Sequence, residues 1–328
     1  MWEYVMENHH PSYNDWIATS IGGAALGESL HRLSAMIVDN TATGSGRTWR
    51  EIGGFLVNPM GGLNRIIHGD ASKVQANPSD RFPSDFRSNF EVGLRTIGEN
   101  RVWESDTTRV YLRASFDYGD PFAGDVEKPF DTFDFDIQLN FGDATGIGHA
   151  RANGLLFAAP LSESESSQHL LGAYQHYEYV NNNAYEMGGQ SLSGSYLSRI
   201  EINTATLLTQ FHADGVIMGA TKSDYGDFTG RSYSYGPGLG FRFATTLLRS
   251  GRPFFTLGHD SHWLFVDNGD DADHYLTYPY ARLDLPIQNL FGVGVEYNLY
   301  HAERRYHDFP DVIQRSPEIK VFMNWLAY

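Results

Sequence analysis

The residues Gly258-His259-Asp260-Ser261-His262 place a serine, two histidines and a carboxylate side by side. A serine beside a histidine is the nucleophile and base of acyl transfer, the chemistry of a lipid hydrolase. On a strand, however, His259 and Ser261 share one face while Asp260 and His262 share the other, so the four cannot converge. Polar strand ends at a membrane interface are the reading we favour, with His259, Ser261 and His262 kept as catalytic candidates. His9-His10 with Asp15 has ligand chemistry, but neighbouring histidines rarely ligate together without a third, spaced ligand. No metal and no cofactor are expected. A more dispersed set, Asn14, Asp15, Glu28, Arg32, Asn64, Arg65, Arg113, Asp136 and Glu296, has the composition of an internal polar network. The same residues could instead bind a lipid headgroup or a solute.

What must position them is a set of strands. From Arg109 to Tyr118, Val110, Leu112, Ala114, Phe116 and Tyr118 alternate with Arg109, Tyr111, Arg113, Ser115 and Asp117. From Thr132 to Phe141, Phe133, Phe135, Ile137, Leu139 and Phe141 alternate with Thr132, Asp134, Asp136, Gln138 and Asn140. A period of two sustained this long is a strand signal. Ionised groups run the whole length of the polar face. A transmembrane barrel turns such a face to its lumen and the apolar one to lipid.

Composition agrees. Tyr (19), Phe (21), Trp (6) and Gly (34) are abundant, as aromatic girdles and tight turns require. A net charge of −16 argues against a phosphate backbone, so no nucleic-acid partner is expected. The absence of cysteine removes any disulfide framework, zinc knuckle or thiol nucleophile. No window of 18 apolar residues exists, which excludes a transmembrane helix but not a barrel. Met1-Trp2-Glu3-Tyr4 does not open a signal peptide, so an exported chain is expected to have lost or to lack its start.

Two regions follow: 1–80, a helical plug-like segment with linker, and 81–328, the barrel. Ile17, Ile21, Ala24 or Ala25, Glu28 and Arg32 recur at helical spacing, with Asn14 or Asp15 as N-cap. Gly22, Gly23 and Gly27 inside that helix suggest close packing against another surface. A second helix is expected from Gly61 to Ile67, then a linker over 71–85. From Phe86 onward twelve strand-like segments can be counted, an even number as a closed antiparallel barrel needs. The phase of Gln168 to Val180 is ambiguous, and at the C terminus Ile319, Val321, Met323 and Trp325 outweigh the phase of Tyr328. No connection is long enough to form a folded constriction loop; the longest is Gly119 to Asp131.

The landmarks Trp2-Glu3-Tyr4, Pro11-Ser12-Tyr13-Asn14-Asp15, Gly22-Gly23-Ala24-Ala25-Leu26-Gly27-Glu28, Asn58-Pro59 and Tyr118-Gly119-Asp120-Pro121-Phe122 resemble a bacterial domain-of-unknown-function family of envelope proteins. The resemblance implies an outer-membrane β-barrel with a helical segment before the strands, in or against the barrel. It implies residence in the bacterial outer membrane, contact with its lipids, and insertion by the barrel assembly machinery. It implies no activity. The function expected is a plugged narrow conduit or a structural envelope component. The alternative is a lipid-modifying hydrolase, of phospholipase or lipid A deacylase type.

Overall fold

A computed structural model of the chain describes residues 18–101, 108–124, 126–142, 146–182, 185–225, 233–288 and 290–327. Residues 86–327 carry twelve strands: β1 (Phe86–Ile97), β2 (Thr108–Tyr118), β3 (Phe133–Asn140), β4 (Ile147–Glu163), β5 (Ser167–Asn182) and β6 (Tyr185–Ile202). The series continues with β7 (Ala205–Lys222), β8 (Tyr233–Arg249), β9 (Arg252–Phe265), β10 (Ala272–Pro286), β11 (Phe291–Tyr306) and β12 (Val312–Ala327). Each pairs antiparallel with its sequence neighbours, and β1 pairs with β12, closing the barrel.

The alternation sets which face looks where. On β11, Glu296, Asn298, Tyr300, Ala302 and Arg304 are buried in the lumen, whereas Phe291, Val295 and Tyr297 are exposed on the outer wall. Around the barrel the same outward phase exposes Phe90, Val92, Leu94, Leu112, Leu239, Leu257, Val321, Met323 and Trp325. A closed barrel satisfies every ladder hydrogen bond and needs no water on its outer wall, so this apolar wall with a charged lumen is that of a transmembrane barrel. On β12 the outward phase is Ile319, Val321, Met323 and Trp325, and pairing with β1 and β11 runs there without a register shift. The stronger apolar phase is thus the lipid-facing one; Tyr328 lies outside the described residues.

Both ends of the barrel's chain and the connections after β2, β4, β6, β8 and β10 lie at one end, here called the terminal end. The hairpin after β8 turns on Ser250 (φ 51°) and Gly251 (φ 76°), the two left-handed positions that match the strand twist. The connection after β2 is not a passive turn. It folds into the terminal-end mouth, setting Phe122 and Val126 against lumen-facing Leu155, Leu170, Tyr174 and Leu197. Arg199 clamps it with paired hydrogen bonds to Asp120 (2.8 and 3.0 Å). This corrects the expectation that no connection forms a constriction.

The first described element of the N-terminal region is a π-helical turn (Ala18–Gly22) running into α1 (Gly23–Ile37), followed by α2 (Gly44–Val57) and α3 (Pro59–Ile67). Of the two placements the sequence leaves open, in the barrel or against it, the described helices take the second. Ala25 and Leu33 pack on Tyr118, Phe133, Phe135 and Ala152, all outward-facing, since the intervening Asp134 and Asp136 point into the lumen. The barrel wall therefore presents to α1 the aromatic face that elsewhere meets lipid. Gln175 and Tyr177 on β5 face outward as well, and the Gln175 amide donates to Ile21 O (2.8 Å). A polar side chain on the outer wall is what blurred the phase of that strand.

Of the three α1-region glycines, only Gly22 is closely packed: a Cβ there would lie 2.6 Å from Gln190 Nε2. Gly23 and Gly27 meet open space. The start expected at Asn14 or Asp15 lies outside the described residues. Helix α2 is an addition to the two helices expected, and it forms although Gly44, Gly46, Gly53 and Gly54 lower its propensity. Packing forms it instead: Gly54 seats against Val38 and Ser34, and Gly62 of α3 against Phe55. Helix α3 is capped by Asn58, whose side chain accepts from Gly61 N (2.9 Å).

Candidate functional site

The lumen is filled by its own wall. Strands β4, β5, β7, β8, β9 and β10 contribute a layer centred on Glu178. Arg151 Nη2 donates to Glu178 Oε1 (2.7 Å) and reaches Asp260 Oδ2 (2.8 Å); Arg242 Nη1 reaches Glu178 Oε2 (3.1 Å) and its Nε donates to Asp214 (2.7 Å). The Tyr278 hydroxyl lies 2.9 Å from Glu178 and 2.6 Å from Asp260. A second layer joins β1, β2, β3, β10, β11 and β12. Arg113 bridges Asp136 (2.6 Å) and Glu296 (3.0 Å), Arg282 bridges Glu91 (2.6 Å) and Asp284 (2.7 Å), and Lys320 meets Glu296 (3.0 Å). Arg95 and Glu318 pair at 2.7 Å. These groups are largely buried, and buried charges persist only when paired and hydrogen-bonded.

Beyond the Glu178 layer, away from the termini, the lumen turns apolar. Val180, Met187, Val216, Leu264, Leu276 and Ala302 form one buried cluster. On the terminal side a cavity of about 390 Å³ runs from rim residues Phe122, Leu248 and Leu326 to Arg113, Arg151, Tyr278 and Lys320. In series, then, the lumen holds a polar cavity, an ionic layer and an apolar seal.

The expected site residues divide accordingly. Arg113, Asp136 and Glu296 do converge. Glu28, Arg32 and Arg65 do not reach the lumen, because the helices carrying them sit on the outer wall. Arg32 donates to Glu28 (2.8 Å), Asp131 (3.1 Å) and Pro129 O (3.2 Å), tying α1 to the connection after β2. Arg65 forms a two-pronged pair with Glu51 (2.7 and 3.0 Å) and donates to Asn40 (2.8 Å), which fixes α3 on α2. Asn64 is exposed, and its carbonyl caps His68 N. Asn14, Asp15, His9 and His10 lie outside the described residues. The single helix-to-lumen network expected from these residues is thus two networks, separated by the barrel wall.

The 258–262 cluster splits as its alternation requires. Asp260 and His262 face the lumen, and His262 Nε2 lies 3.6 Å from Glu178. His259 stacks on Phe241 of the outer wall at 5.1 Å. A different constellation, drawn from three strands, has nucleophile, base and orienting group in contact. His176 Nδ1 lies 2.8 Å from Asn153 Oδ1 and Nε2 lies 2.7 Å from Ser193 Oγ. Asn153 in turn donates to Asp134 (2.6 Å), which points its oxygen at the ring and leaves Nε2 to accept from the serine. Ser193 continues to Ser195 (2.9 Å) and His212 (2.7 Å). Local sequence carries no signal for it, since each member stands on a different strand. His176 is 1% and Ser193 6% exposed, and neither lines the cavity, so no substrate carbonyl has a place beside the hydroxyl.

No curated protein matches the chain. Among solved structures it is similar to the NanC porin, at 10% identity and TM-score 0.36, over 71% of this chain and 98% of that one. It is also similar to the KdgM porin in complex with disordered oligogalacturonate (7%, TM-score 0.34, covering 73% and 99%). A third is the outer membrane channel DcaP of Acinetobacter baumannii (10%, TM-score 0.27, covering 74% and 96%). Residues 1–60 match the family model Domain of unknown function (DUF3943). The matched residues precede a closed twelve-stranded antiparallel barrel.

Proposed function

We propose that the protein is an integral barrel of the bacterial outer membrane that acts as a narrow polar conduit, shut at rest by its own lumen side chains. The observation that carries this reading is the order of the lumen, in which a polar cavity open to the terminal end stops at the Glu178 layer and the apolar seal. A barrel with only a structural role could be filled more cheaply with apolar side chains, because desolvating many charges costs stability even when they pair. Retaining them fits a passage for polar solute. The outer wall supports membrane residence, and a barrel of this kind is inserted by the barrel assembly machinery. The experiment is conductance in planar bilayers. Wild type is expected to be silent or to open rarely, and Leu264→Gly with Leu276→Gly, which thins the seal, is expected to conduct. Silence of both would leave the structural role.

The hydrolase reading keeps one observation in its favour, the Asn153–His176–Ser193 chain. Its test is acyl release from phospholipid or lipopolysaccharide by the purified protein. Release abolished by Ser193→Ala would establish it over the conduit.

A further inference from the structure

Helices α2 and α3 expose an apolar face that nothing in the chain's described residues covers. Trp49 is 72%, Leu56 74%, Met60 68% and Ile67 68% exposed, and Leu63 and Ile66 lie on the same side. A patch this contiguous marks an interaction surface. Its position says what meets it. Val57, at the end of α2, packs into the cluster in which Ala25 and Leu33 of α1 meet Tyr118, Phe133 and Phe135 of the barrel's outer wall. From there an aromatic row continues without a break: Phe135 to Phe116 (6.3 Å), Phe116 to Phe90 (5.7 Å), Phe90 to Trp325 (6.0 Å). Phe90 and Trp325 belong to the lipid-facing belt. The seat of α1 is therefore at the level where the belt approaches the terminal-end rim, and α2 and α3, packed on α1 and on each other, extend from it with their apolar face uncovered.

Charge points the same way. Over residues 44–67 the chain has Arg47, Arg50 and Arg65 against Glu51 alone, in a protein of net charge −16. Arg47 is occupied by backbone carbonyls, among them Asp70 O and Lys73 O (both 2.7 Å), and Arg65 by Glu51. Arg50 is exposed and makes one long contact, 3.4 Å to Ile37 O, leaving its guanidinium for an outside anion. Between the helices a groove of about 500 Å³ is lined by Ile52, Phe55, Leu56 and Ile66.

Resting on the membrane reading above, we propose that α2 and α3 form an interfacial anchor. Their apolar face is immersed in the acyl chains of the leaflet at the barrel's terminal end, with Arg50 at the phosphate level and Trp49 at the boundary. Amphipathic helices of this kind bury their apolar side roughly 5–10 Å into the headgroup boundary. Residues 44–67 would then be a lateral membrane collar of the barrel.

These 328 residues contain no cysteine, so single cysteines can be placed for nitroxide labelling of the protein in phospholipid vesicles. The sites are Leu56→Cys and Ile67→Cys on the face, Val295→Cys on the barrel belt and Ser79→Cys in the linker. The expected result is that labels at 56 and 67 collide with oxygen several-fold more than with a water-soluble nickel chelate, as at 295, while 79 shows the reverse. Nickel access at 56 and 67 with oxygen preference retained at 295 would overturn the anchor and leave the barrel standing. Loss of oxygen preference at 295 would overturn the membrane reading itself. Shielding of 56 and 67 from both reagents would mean that protein, a second copy or the chain's first residues, covers the face, and would overturn the anchor too.

Discussion

Arg151 on β4 and Asp260 on β9 meet at 2.8 Å across the lumen, on strands that are not neighbours. Such a bond can form only when the sheet closes into a cylinder narrow enough for opposite walls to touch. Arg113 on β2 with Glu296 on β11 (3.0 Å) and Arg282 on β10 with Glu91 on β1 (2.6 Å) do the same in the second layer. The barrel is braced across its bore as well as around its wall.

Removing one partner of this brace is expected to cost far more than removing a surface pair, because it strands buried charge. Glu178→Ala leaves Arg151 and Arg242 without their shared acceptor and should lower stability by about 3–5 kcal/mol. Denaturant unfolding of refolded protein checks this, and a loss under about 1 kcal/mol, the value of an exposed pair, would mean that water reaches the layer.

The seat of α1 depends on Gly154. A side chain there would strike the ring of Phe130, which crosses the outer wall at φ 66° to join the cluster holding Ala25 and Leu33. Gly154→Val is expected to displace Phe130 and release α1 while the barrel persists. Limited proteolysis should then cut between α1 and α2 at a raised rate, with the barrel fragment remaining resistant. Unchanged cleavage would show that α1 is held by other contacts.

At the far mouth, His307 Nδ1 lies 2.9 Å from Asp271, and that hydrogen bond, with the charge of the same carboxylate, raises the histidine above its ordinary pKa. A raised folded-state pKa favours the protonated form, so the clip between the β9–β10 and β11–β12 connections is complete below about pH 6.5 and is lost as pH rises through the raised value. Both groups are well exposed, so the energetic effect is small. NMR titration is expected to place His307 above the other surface histidines, and Asp271→Asn to return it to the ordinary range.

Much of the barrel was legible because alternation is local. Arg113, Asp136 and Glu296 were assigned to one polar interior from their strand phase alone, and they meet there. What was not legible depends on which side of a wall an element lies. Glu28 and Arg32 have the same helical spacing whether α1 enters the lumen or lies outside. The choice is made by Phe133, Phe135 and Ala152, an aromatic and small-residue strip that fits a helix as well as lipid. Glu178, the centre of the ionic layer, sits on the strand whose phase was blurred by outward Gln175. The Asn153–His176–Ser193 chain was hidden because register, not sequence proximity, brings its members together. Helix α2 was not legible, since its four glycines argue against helix and only packing of Gly53 on Ile37 and Gly54 on Val38 and Ser34 offsets them.

In the proposed conduit the lumen is shut by wall side chains and not by the helices. Single-channel recording of two variants tests it most directly: one lacking residues 18–80, the other carrying Leu264→Gly and Leu276→Gly. The expected result is wild-type silence in the first and steady conductance in the second. Conductance that appears on deleting the helices and not on thinning the seal would contradict it.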